Sequence, residues 1–112
     1  MRLDLKRIIL FTPDMARMTA FYRDVLGLPL RRDEPGFKEF DAGACGIALH
    51  TGKSRVGARA PKLSFWVDDL AAVRATLIGR GARMGEVLGG GELMRCEGTD
   101  PDGNAFQLST RT

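Results

Sequence analysis

One histidine, two cysteines, one tryptophan and one tyrosine are all that 112 residues contain of those types. Their scarcity excludes much. A zinc site needs three or four His, Cys or acidic ligands, and Cys45 and Cys96 lie too far apart for any zinc or redox spacing. The two cysteines read as small apolar residues in a reducing compartment. No stretch approaches the ~20 apolar residues of a membrane span. Asp4 interrupts the apolar run that a signal peptide requires. A cytoplasmic protein with no membrane partner is expected. Charge of one sign is also lacking: the net value is +3, with acids and bases interspersed. That surplus is no nucleic-acid signature, and no aromatic-basic motif of the single-strand-binding kind is present.

Fourteen glycines are there instead, and they imply many turns and a strand-rich chain. The length predicts one domain, residues 1–112. Residues 4–11 alternate as a strand. Thr12, Pro13 and Asp14 then open a helix, with Thr12 as cap and Pro13 at the first helical position. Met15, Met18, Tyr22, Val25 and Leu26 recur at helical spacing, and Gly27 ends the run. Strands are predicted at 28–32, 37–41 and 45–50. Residues 53–61 read as a linker.

The pattern then restarts. Residues 62–67 form a strand, Asp68 caps a second helix with Leu70, Val73 and Leu77 as its buried stripe, and strands follow near 83–87, 93–97 and 106–110. The Gly89-Gly90-Gly91 run is a hairpin turn or loop. Arg7 stands seven residues before Asp14, and Lys62 seven before Asp69. An internal repeat of this kind decides the fold. The expectation is an α+β fold of two βαβββ modules, about 1–52 and 62–112. Placed side by side they form a curved mixed sheet with helices on the convex face and a concave interior.

Three stretches carry a resemblance that covers nearly the whole chain. They are Phe21-Tyr22-Arg23-Asp24-Val25-Leu26-Gly27-Leu28, Val67-Asp68-Asp69-Leu70, and the turn Asp100-Pro101-Asp102-Gly103-Asn104 before the last strand. In this order and spacing the chain resembles the vicinal oxygen chelate superfamily of glyoxalase, bleomycin-resistance and extradiol-dioxygenase proteins. The resemblance implies a homodimer. It also implies four inward positions where metal-using members place His, Gln or Glu, and these fall here on Arg7, Ala48, Lys62 and Gln107. Gln107 stands where the family commonly has Glu. Arg keeps its proton, Ala has no ligand atom, and charged Lys ligates poorly, so only Gln107 offers a donor. No metal and no cofactor is expected on this register. A slipped register would recruit His50 and Gln107 with Glu39 or Glu97.

The inward face on this reading presents Arg7, Phe11, His50, Lys62, Ser64, Trp66 and Gln107, an apolar and aromatic wall with a few polar groups. Arg7 and Lys62 are expected to select an anionic ligand group, and Trp66 and Phe11 to stack on a flat body. The plainer reading is that Arg7 and Lys62 snorkel to solvent or pair with Glu or Asp, and that the aromatics are core. Three functions follow. The first is a metal-free protein binding a small, anionic organic ligand. The second is a metal-dependent lyase, isomerase or dioxygenase, lactoylglutathione-lyase-like, with a rearranged site. The third is a metal-free enzyme using His50 in acid-base chemistry.

Overall fold

Alternating apolar residues do fold into strands and the two helical stripes into helices, in a computed structural model that describes residues 1–57 and 60–112. The chain divides into two compact units, Met1–Arg55 and Val56–Thr112. Residues 53–57, 60 and 61 of the expected linker have no regular structure, and its Ala58 and Arg59 lie outside the described residues. The fold is α+β, with one mixed sheet in each module.

The first module comprises β1 (Arg7–Thr12), α1 (Met15–Ala20), a π-helical turn (Phe21–Val25), β2 (Leu30–Glu34), β3 (Phe37–Asp41) and β4 (Gly46–Thr51). Its sheet order is β1-β4-β3-β2. β1 runs parallel to β4, and the other pairs are antiparallel. The cap of α1 is Asp14, not Thr12. β1 extends through Thr12, so that residue is still in the strand when the helix must begin. Its hydroxyl accepts the Asp14 N–H at 3.0 Å, and Asp14 Oδ1 accepts the Arg17 N–H at 3.1 Å. The helix widens at its end, where the Leu26 N–H reaches the Phe21 carbonyl at 3.0 Å. Phe21 and Tyr22 are both buried there, with their rings edge-on at 5.3 Å. Met18, Phe40, Ile47 and Leu49 complete this core. Each large apolar side chain so buried contributes about 1.5–3 kcal/mol.

The second module comprises β5 (Leu63–Trp66), α2 (Leu70–Gly79), β6 (Arg83–Met84), β7 (Leu88–Gly90), β8 (Leu93–Thr99) and β9 (Ala105–Ser109). The sheet order is β5-β9-β8-β6, with β7 also on β8. Asp69 caps α2, not Asp68, and accepts the Ala72 N–H at 3.1 Å. The reason is that Val67 still bonds the Ser109 carbonyl at 3.0 Å, which leaves Asp68 to make the bend. The strand expected at 83–87 is only the two-residue β6, and β7 begins beyond it, at Leu88, taking in Gly89 and Gly90 of the expected turn. Gly89 and Gly90 pair with Met94 and Leu93, and the turn closes at Gly91, whose φ of +60° only glycine adopts freely. Leu70 and Leu77 are buried with Cys96, Phe106 and Leu108. Asp100 organises the turn before β9. Its carboxylate accepts the Asp102 N–H at 3.0 Å, the Asn104 N–H at 2.9 Å and the Asn104 side-chain amide at 2.8 Å. Among the described residues no helix is long and apolar enough to cross a membrane.

Candidate functional site

Strand alternation assigns each sheet two faces. In the first module Ile47, Leu49 and Phe40 face α1, so Arg7, Ile9, Phe11, Ala48, His50, Phe37 and Glu39 share the opposite, open face. In the second, Phe106, Leu108 and Cys96 are core, and Lys62, Ser64, Trp66, Gln107 and Glu97 belong to the open face.

On the first open face the structure brings Phe11 and His50 together, with ring centroids 5.3 Å apart, and Phe37 lies 6.3 Å from His50 on the other side. Phe11 is 51% exposed and Ile9 is exposed beside it. His50 Nδ1 lies 2.8 Å from the Thr51 carbonyl. A carbonyl only accepts, so Nδ1 carries the hydrogen, and in the neutral ring the lone pair is at Nε2. Of the candidate residues here, Arg7 is committed to a carboxylate: its Nε is 2.5 Å from Glu39 Oε1.

Sequence reasoning named Glu39 only as a ligand of a slipped register and missed its pairing with arginines. Glu39 is 1% exposed, and Arg31 holds its other oxygen from Nε at 2.7 Å and Nη2 at 2.6 Å, while Arg32 Nε lies 4.0 Å from Oε1. The register of β2 against β3 shifts between Leu30 and Arg32. This bulge sets Arg31 as an extra residue, so two consecutive arginines reach one carboxylate. Simple alternation would send them to opposite faces. Burial pushes the Glu39 carboxyl upward, but hydrogen bonds and charge from Arg7 and Arg31 outweigh it and hold the group below the usual carboxylate range. A Cβ at position 46 would collide with Arg31 Nη2 and come within 2.8 Å of Glu39 Oε2, so Gly46 gives this cluster its room.

The second module repeats the motif with different chemistry. Ser64 pairs with Gln107 and Gln107 with Glu97, as Ile9 pairs with Ala48 and Ala48 with Glu39. Lys62 therefore matches Arg7 in register, and Glu97 matches Glu39. Lys62 Nζ lies 2.5 Å from Glu97 Oε1, yet the pair is open to water, with Glu97 51% exposed. The Lys62 hydrogen bond and charge hold the Glu97 carboxyl low. Gln107 donates its side-chain amide to Ser64 Oγ at 2.8 Å, and Trp66 is 58% exposed.

A divalent ion finds no fitting donor set at the four positions the resemblance implies. Arg7 and Lys62 are cations already bound to carboxylates, Ala48 has no donor, and Gln107 keeps only its amide oxygen. Among the described residues no group of three or more His, Cys, Asp or Glu is placed to hold a metal. Cys96 is fully buried, and burial pushes its thiol up despite the nearby Arg74 charge, so it is core and not a nucleophile.

Known proteins agree with this architecture. The profile of the Glyoxalase/Bleomycin resistance protein/Dioxygenase superfamily matches residues 4–108. No curated protein matches at a significant level. Among solved structures, a glyoxalase/bleomycin resistance protein/dioxygenase family enzyme from Burkholderia phytofirmans PsJN superposes with a TM-score of 0.82 at 22% identity, covering 96% of this chain and 98% of its own. The fosfomycin resistance protein FosX from Mesorhizobium loti gives 0.82 at 21% identity, over 100% and 95% of the two chains. Lactoylglutathione lyase from Agrobacterium tumefaciens gives 0.74 at 18%, over 94% and 91%. At such identities these likenesses concern the fold alone. With the family profile spanning most of its length, the chain belongs to the glyoxalase/bleomycin resistance protein/dioxygenase superfamily.

Proposed function

We propose that each module of this protein binds a small organic molecule against its own open sheet face, by stacking and hydrogen bonding and without a catalytic divalent ion at the four strand positions. The observation that carries the reading is Trp66: an indole more than half exposed on a strand whose neighbours, Ser64 and Gln107, form a polar pair. An indole beside a polar pair offers a stacking face for a flat ligand with hydrogen-bonding groups at its edge. Exposed Phe11, packed against His50, supports the same reading in the first module. Gln107 retains its amide oxygen, and Ser64 its hydroxyl proton, for a polar group on the ligand. The free cysteines fit a reducing, cytoplasmic setting.

Calorimetric titration with 1-naphthol, a flat neutral probe, tests this. Binding in the wild type is expected, with affinity reduced about tenfold at the face that loses its aromatic in Trp66→Ala or Phe11→Ala. No binding by the wild type, or full binding by both variants, would overturn the reading. Trp66 fluorescence that ignores the probe but changes with protein concentration would show that a second copy covers this face instead.

A further inference from the structure

We infer that the cluster of Arg7, Arg31, Arg32 and Glu39 is an oxyanion subsite, which selects ligands carrying a carboxylate or phosphate on a flat body. The inference deepens the binding function proposed above and rests on it.

Three guanidinium groups converge on a single carboxylate. Two positive charges are left without a partner in the cluster. Asp41 and Glu34 share this face, two residues along from Glu39 and from Arg32, but neither forms an ion pair with the three arginines, and Asp41 Oδ1 accepts the Gly43 N–H at 2.8 Å. Asp33, also on β2, is bound by Lys38. Each guanidinium has five N–H donors in a planar fork, and Glu39 engages few of them. Side chains of Arg7, Arg31 and Arg32 are 37%, 40% and 54% exposed, so the remaining donors face solvent while Glu39 anchors the inner ones. Such a fork matches a carboxylate or phosphate with two parallel hydrogen bonds.

Two features mark the cluster as built. The bulge at Arg31 aims a second arginine at the same carboxylate, and Gly46 supplies space that any side chain would fill. Bulges that redirect a side chain concentrate beside functional sites. A Glu39 serving only to neutralise charge would need one arginine. The cluster also adjoins the aromatic group. Glu39 and Phe37 are two residues apart on one strand face, about 7 Å at the usual rise, and Phe37 leads to His50 and Phe11. A ligand with an anionic group at one end and a ring at the other spans both.

The experiment compares 1-naphthoate, 1-naphthyl phosphate and neutral 1-naphthamide by calorimetry on the wild type, Arg32→Gln and Arg31→Gln. Arg32 is the outermost of the three, and its loss leaves Glu39 paired with Arg7 and Arg31, so Arg32→Gln keeps the fold; thermal melts check both variants. At least one anion is expected to bind about tenfold tighter than the amide, and the stronger anion identifies the ligand class. Each variant should lose about tenfold toward that anion with the amide unchanged. Equal affinity of all three probes in the wild type, or an anion preference that survives both substitutions, overturns the subsite and leaves the binding function standing. Failure of every probe to bind overturns both together.

Discussion

The two modules answer the same register with opposite solutions. Each places a basic residue at or just before the start of its first strand and an acid two strands over in the sheet order. The first module buries the acid among arginines, whereas the second leaves a lysine and a glutamate in water. Water decides the strength of each pair. A solvated pair is screened and contributes little, while a carboxylate sealed from water depends wholly on its partners. Repetition of a pattern therefore does not imply repetition of energetics.

The sharpest way to break the contrast is to remove the two acids in turn. Glu39→Ala removes the buried carboxylate and leaves Arg7 and Arg31 partly solvated beside a void, and it is expected to cost about 1–3 kcal/mol. Glu97→Ala should cost under about 1 kcal/mol after allowance for solvent screening. Denaturant titration of the two variants measures both, and equal losses would erase the distinction.

Of similar size is the glycine test. Gly46→Ala should destabilise by about 1–3 kcal/mol, because the new methyl displaces Glu39 or Arg31. The corresponding place in the second module, two residues before Gln107, already holds Ala105. Ala105→Gly should therefore cost no more than glycine's backbone entropy, about 0.5–1 kcal/mol.

Acid sharpens the comparison further. The folded carboxyl of Glu39 titrates below its unfolded counterpart. Its contribution is complete above the unfolded value of ~4.3 and is lost as pH falls through the folded pKa. The groups facing it are Arg7 on β1 and Arg31 and Arg32 on β2, and these stay charged throughout. Glu97 shifts in the same direction beside Lys62. Thermal melts from pH 6 to pH 2 should thus fall less steeply in Glu39→Gln than in the wild type, with Glu97→Gln closer to the wild type. Salt gives the smallest effect: 1 M NaCl should weaken the exposed Lys62–Glu97 pair and leave Glu39 nearly untouched.

One comparison should show no contrast. Asp14 and Asp69 cap their helices with the same 3.1 Å bond to the third residue on. Alanine at either is expected to cost about 1 kcal/mol by chemical denaturation.

The repeat, the helical stripes and the turn before β9 were legible because they depend on local rules. Apolar spacing marks Met18 and Tyr22, or Leu70 and Leu77, as buried wherever the helix packs. Even the caps were misplaced by one or two residues only, since the strands' pairing, which sets where each helix begins, lies in the partner strand. Arg7, Phe11, His50, Lys62, Ser64, Trp66 and Gln107 could be assigned to faces by period-two alternation. Their partners could not. Glu39 looks in sequence like any strand acid between Lys38 and Phe40, and Arg31 and Arg32 look like two solvated bases. Only register brings them together: β3 lies between β4 and β2, and a bulge turns Arg31 back on Glu39. Local chemistry alone thus determined the elements and their buried faces. Tertiary structure decided which charges meet and which stay in water, because ion pairing depends on contacts across 32 and 8 residues that no local pattern encodes.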